Sequence, residues 1–283
     1  MICWQCWVWS EPGTLNIGVD PEHQEYIERW LHDEPEARVA RLFVAEARNP
    51  GVELVEAIGH QLLRSMFAVS DTSVALARLG WWLDEFGQAE PRHPLTRALD
   101  DLGRSSDVAT GLRGAAAGLL RLAQRETVQS IADLLHPLQE FSAALAAARG
   151  ALRPDADVEP IVAAAVAGAR LLSLVRDWKN LSLPARALLP LDLLARHAAD
   201  RASAAHAAHP ASALIAAELV AAGQDSLRGA ASIVLRGIDG ARIAAARTWA
   251  NRMMRSPAHT VSGTLGVPRG SLVFALWRVG RRG

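Results

Sequence analysis

The chain has 283 residues, half of them apolar, and its 30 basic and 30 acidic side chains cancel. That length is enough to bury a core as one large domain or two small ones, and half-apolar content with balanced charge excludes an intrinsically disordered protein. Zero net charge argues against a general nucleic-acid binder, which needs a basic excess to displace counterions.

Alanine supplies 53 residues and aromatics only 5%, a composition that favours helices because alanine loses no side-chain entropy on joining one. The only cysteines are Cys3 and Cys6, so no disulfide framework is expected. Their CxxC lacks the second ligand pair a zinc site needs and the βαβ setting of a redox site. The first residues carry no basic-then-apolar leader pattern. The longest apolar run, Pro160 to Ala169, is too short to cross a membrane. These features predict a cytoplasmic protein.

Residues 1–20, with Trp4, Trp7 and Trp9 around the cysteines and then Pro12, Gly13 and Gly18, form an irregular extension to a domain spanning 21–283. Helical spacing begins with Ile27, Trp30 and Leu31 and resumes with Val39, Leu42 and Phe43 after Pro35, which suits a first-turn proline. Asn49-Pro50-Gly51 predicts a turn before a helix over Val52–Val69, and Ser70-Asp71-Thr72 offers an N-cap for a helix with Leu76, Leu79, Trp82 and Leu83 on one face. His93-Pro94 opens a short helix with Leu95, Ala98 and Leu102. Further helices are predicted over Leu112–Gln124, Val128–Ala148, Val158–Lys179, Ser212–Val220 and Leu227–Met254, the last with a break at Gly240. A turn-rich stretch then leads to a C-terminal helix holding Phe274, Leu276 and Trp277. No repeat of 20–50 residues is present, so one all-α domain is expected rather than a solenoid.

No G-x-S-x-G, P-loop or G-x-G-x-x-G occurs. His197, His206 and His209 lie near Asp200, but without a glutamate at zincin spacing they suit a solvated face better than a metal site. Arg278, Arg281 and Arg282 beside Phe274 and Trp277 make a basic C-terminal end, either a helix terminus with favourable dipole charges or a peripheral contact with anionic lipid.

Two segments carry a more specific signal. The first is Ala75-Leu76-Ala77-Arg78-Leu79-Gly80-Trp81-Trp82-Leu83-Asp84-Glu85-Phe86, followed by Arg92-His93-Pro94-Leu95-Thr96-Arg97-Ala98-Leu99. The second is Leu174-Val175-Arg176-Asp177, followed by Ala185-Arg186-Ala187-Leu188-Leu189-Pro190-Leu191-Asp192-Leu193-Leu194-Ala195-Arg196-His197. In this order and spacing they resemble the squalene/phytoene synthase family over roughly residues 25–282, with a weaker match around 105–155. The resemblance implies a single-domain, isoprenoid-synthase-like helical bundle around a central cavity. It also implies Mg²⁺-dependent joining of prenyl diphosphates by two Asp-rich motifs on facing helices, each with carboxylates at i and i+4.

Those motifs are degenerate here. No carboxylate lies between Glu56 and Asp71, and the second aspartate of the later motif falls on Leu181, leaving Asp177 alone. The resemblance therefore implies a protein that has lost the metal-dependent chemistry and acts by binding an isoprenoid, a lipid or a protein partner, with no cofactor. Its vestigial diphosphate positions are His60, Arg64, Arg176, Asp177 and Arg186, since arginine forks suit phosphate oxygens without a metal. Two rivals stand beside it. One is an active prenyltransferase with Mg²⁺ on carboxylates elsewhere (Asp100, Asp101, Asp107, Asp133, Glu140), and the other is an assembly scaffold with a filled core.

Overall fold

In a computed structural model the described residues are 21–103, 105–152, 160–183, 187–231, 236–266 and 268–281. The Cys3–Cys6 pair, the N-terminal tryptophans, Arg186 and Arg282 lie outside them. All regular structure among the described residues is helical. The chain begins with α1 (Pro21–Asp33), α2 (Pro35–Phe43), a 3₁₀ turn (Ala45–Arg48), α3 (Pro50–Phe67), α4 (Thr72–Glu85) and α5 (Pro94–Asp101). The long central helices are α6 (Ser106–Ala123), α7 (Ile131–Ala151) and α8 (Pro160–Arg176), followed by the short α9 (Trp178–Leu181), α10 (Leu191–Arg196) and α11 (Arg201–Ala205). Then come α12 (Pro210–Gly229), α13 (Gly237–Arg255), α14 (Pro257–Val261) and α15 (Arg269–Gly280).

The starts are written in local chemistry. Asn49 accepts from the Val52 amide to cap α3, Asp71 caps α4, Ser105 caps α6, and Ser130 with Asp133 forms a reciprocal capping box on α7. Proline stands in the first turn of α2, α3 and α5, where its missing N–H costs nothing.

Several sequence-based boundaries are corrected. Pro50 and Gly51, read as a turn, form the first turn of α3, and the Ser212–Val220 helix extends over Pro210–Gly229 as α12. The Val158–Lys179 helix stops at Arg176: Asp177 leaves helical geometry, which swings Trp178 and Leu181 into the core as α9. The Leu227–Met254 helix is two helices, and its break falls before Gly237 rather than at Gly240. Gly237 has φ +61°, and a Cβ there would run into the Glu46 carboxylate, which accepts from the Ile238 amide at 3.1 Å. Leu102 follows the last turn of α5 and is 53% exposed; Leu99 takes the buried position.

The helices pack as a bundle in which α7 lies between α6 and α8, α12 and α13 pack on α8, and α3 sits against α4, α5, α6 and α7. Small residues allow the closest approaches. A Cβ on Gly111 of α6 would lie 2.8 Å from the Ala148 amide nitrogen of α7, and one on Gly168 of α8 would lie 2.8 Å from the Gly223 carbonyl of α12. Abundant alanine thus serves packing as well as helix propensity. Trp30, Ile58, Leu62, Phe141 and Trp178 fill the wider spaces between helices.

Candidate functional site

The first recognisable segment builds a structural lock. Glu85, at the end of α4 and 2% exposed, turns one carboxylate oxygen onto the following loop. That oxygen accepts from the Arg92 amide (2.8 Å), the His93 amide (2.7 Å) and the Thr96 hydroxyl (2.5 Å). Burial alone would raise the Glu85 pKa, but these donors outweigh it and hold the group below the ordinary carboxylate value. His93 packs on Trp82 at 4.7 Å between ring centroids, and its Nδ1 accepts from the Leu95 amide at 3.1 Å to cap α5. That acceptor role requires neutral imidazole, and burial lowers the His93 pKa to about 4. Glu85, His93 and Thr96 therefore hold the α4–α5 connection.

The end of the second segment is anchored in the same way. His197 Nε2 lies 2.6 Å from Glu218 of α12, and Arg196 pairs with the same carboxylate. Asp200 caps α11 and His209 caps α12. The histidines around Asp200 are thus divided among capping and pairing roles, and do not converge on a metal.

The densest concentration of charge lies in the middle of the bundle. Glu56 on α3 is 1% exposed. Its Oε1 accepts from Arg149 of α7, its Oε2 accepts from Arg242 of α13 at 2.7 Å, and Arg170 of α8 stands 4.0 Å from that second oxygen. The other branch of Arg149 reaches Asp239 of α13, and Arg242 also reaches Glu34 at 3.5 Å. Three arginines thus face three carboxylates, so the cluster is electrically balanced. Burial would raise the Glu56 pKa, but the Arg242, Arg149 and Arg170 charges hold it at about 2. Glu34 is likewise lowered against its burial, chiefly by Arg242. Arg170 is the least compensated member: burial lowers its pKa to about 10, its Nε and Nη2 have no protein acceptor, and its guanidinium lies 4.7 Å above the Phe141 ring.

The corner between α1 and α2 closes one side of this cluster with carboxylates. Asp33 takes His60 Nε2 at 3.2 Å and Arg64 at 2.7 Å, Glu34 takes Arg242, and Glu36 takes Arg176 at 3.3 Å. Two small cavities of about 10 Å³ each, room for about one water molecule, flank Glu36 and Arg242. Arg176 and Trp249 line one of them, with the guanidinium 4.8 Å above the indole ring.

Of the vestigial diphosphate positions, the fold brings His60 and Arg64 together on Asp33 and leaves Arg176 on the neighbouring Glu36. Burial keeps the His60 pKa below its ordinary value despite Glu34 and Asp33. Asp177 is exposed and accepts from its own neighbour Asn180 at 2.7 Å, apart from this group. Arg186 is outside the described residues. Sequence reasoning missed Glu56, Arg149, Arg170, Asp239 and Arg242 as a unit, since they lie up to 186 positions apart. One signal was available: an arginine such as Arg170 inside a long apolar helix must be buried, and a buried charge needs partners.

These residues do not fit Mg²⁺. Glu34, Glu56 and Asp239 are each engaged by arginine, so a divalent cation there would meet three guanidinium groups. Among the described residues no three His, Cys, Asp or Glu side chains are grouped to hold a metal. The rival acids do not converge either: Asp101 and Asp107 are exposed, Asp133 serves the α7 capping box, and Glu140 pairs with Arg121. In comparison with known proteins, no family model matches the chain and no curated protein matches it.

Proposed function

We propose that this chain is a squalene/phytoene-synthase-like protein, on the isoprenoid-synthase pattern, that acts by binding rather than by prenyl transfer. The observation that carries this reading is the state of Glu56. The family pattern calls for free carboxylates on a helix facing the middle of the bundle, whereas the carboxylate there is held by arginines from α7 and α13. Metal-assisted departure of a diphosphate depends on anionic ligands able to take Mg²⁺. An arginine-neutralised network offers none and instead ties α3, α7, α8 and α13 to the α1–α2 corner. That supports a stable helical platform whose ligand is a lipid or a protein. No helix of the described residues is long and apolar enough to cross a membrane. The reading also proposes a cytoplasmic protein whose basic C-terminal end meets the membrane from one side.

The test is diphosphate release from farnesyl and geranylgeranyl diphosphate by the purified chain, with and without Mg²⁺. No turnover by protein shown to be folded is expected. Mg²⁺-dependent turnover lost on Asp177→Ala would overturn the reading, because Asp177 is the one carboxylate retained from the family motifs.

A further inference from the structure

The last helix is apolar on both sides. Leu272, Leu276 and Val279 of α15 are buried, and the helix packs against α13 and α2. At 3.6 residues per turn the opposite arc carries Val273, Trp277, Arg281, Phe274 and Arg278. Phe274 is 57% exposed, Val273 42% and Trp277 39%. The Phe274 and Trp277 rings stack on each other at 5.7 Å, and the Arg281 guanidinium lies 5.0 Å above the Trp277 ring. A helix with a buried apolar face ordinarily turns a polar face to water. This one exposes an aromatic pair flanked by arginines, with no acidic residue in α15.

Charge along the chain sharpens the point. Residues 240–283 contain eight arginines and no aspartate or glutamate, although the whole chain is neutral. The exposed Arg252 of α13 stands at the loop leading into α15, where a Cβ on Gly266 would lie 3.4 Å from its Nη2. The charged side chains on this arc and at the loop leading into it, Arg278, Arg281 and Arg252, are all basic, and the partner complementary to the stripe is apolar just beneath an anionic surface.

We propose that the outward face of α15 docks on an anionic phospholipid bilayer. Trp277, Phe274 and Val273 enter the boundary between headgroups and acyl chains, where amphipathic rings are favoured, and Arg278 and Arg281 meet lipid phosphates. The contact is parallel to the membrane. It deepens the membrane placement in the proposed function and is independent of the lost chemistry. Diphosphate release by the purified chain would leave it standing, and failure to bind vesicles would leave the Glu56 reading standing.

The test is flotation of the purified full chain with vesicles of phosphatidylcholine alone and of phosphatidylcholine mixed with phosphatidylglycerol, at low and high salt. Binding is expected only to the anionic vesicles and should weaken as salt screens the arginines. Phe274→Ser with Trp277→Ser should weaken it at least about tenfold, and Arg278→Gln with Arg281→Gln should remove most of the preference for anionic lipid. All four side chains point outward, so the helical circular dichroism should not change. Three outcomes would overturn the proposal: no binding of the folded chain to anionic vesicles, equal binding by the ring-deleted variant, or a dimer in solution that this variant converts to monomer, which would assign the face to a second copy.

Discussion

Replacing Glu56 with glutamine keeps the shape of the side chain and removes its charge, leaving Arg149, Arg170 and Arg242 to share Asp239 and Glu34. Two routes give the size of the loss. The gap between a folded pKa of about 2 and the ordinary carboxylate value of 4.5 corresponds to ~3 kcal/mol of stability at neutral pH. Breaking a buried ion pair from one side independently costs about 3–5 kcal/mol, because the partner is left charged and uncompensated. Against a total stability of about 5–15 kcal/mol this is a large fraction, and in a chain of this size it should lower the melting temperature by roughly 10 °C. Urea unfolding followed by far-UV circular dichroism measures it. The pH profile supplies a second check. Below about pH 4.5 the unfolded chain takes up a proton that the folded chain refuses, so this stabilisation is lost as pH falls towards about 2. Glu56→Gln should lack that component of the acid slope. In a double-mutant cycle with Arg149→Met the coupling should reach about 2 kcal/mol. A loss below about 1 kcal/mol with an unchanged acid slope would refute the account of the network.

Other parts of the fold make their own predictions. Glu85→Gln weakens three hydrogen bonds from Arg92, His93 and the first turn of α5, and a loss of about 2 kcal/mol in urea unfolding is expected. His93 caps α5 as neutral imidazole, so its stabilisation is present above pH 6.5 and lost as pH falls through about 4; His93→Asn keeps a capping acceptor and should flatten melting temperature over that window. At Gly111 an added methyl meets α7 backbone at 2.8 Å, whereas at Gly118 of the same helix the nearest atom is 3.6 Å away. Gly111→Ala should therefore destabilise by about 1–3 kcal/mol, and Gly118→Ala should be neutral or stabilise by about 0.5–1 kcal/mol through helix propensity.

Helix content, most helix starts and the class of fold are determined by the sequence alone, because they rest on contacts within a few residues. Pro35 sits in a first turn, Asp71 caps its own helix, and Leu79 and Trp82 repeat at the spacing that buries one face. Boundaries failed where tertiary demands overrode local ones: the core draws Trp178 inward and ends α8 early, and Glu46, from the far side of the chain, imposes the turn at Gly237. The motif residues were visible as motifs, but their work was not. That Glu85 and His93 lock a loop depends on where one carboxylate oxygen points, which spacing does not encode. The central network was least legible, since Glu56, Arg149, Arg170 and Arg242 come from four helices with no shared local pattern. The sequence shows only that arginines sit in apolar helices and must find counter-charges. Which carboxylates they find, and hence that the middle of the bundle is neutralised by protein, is decided by how the helices cross.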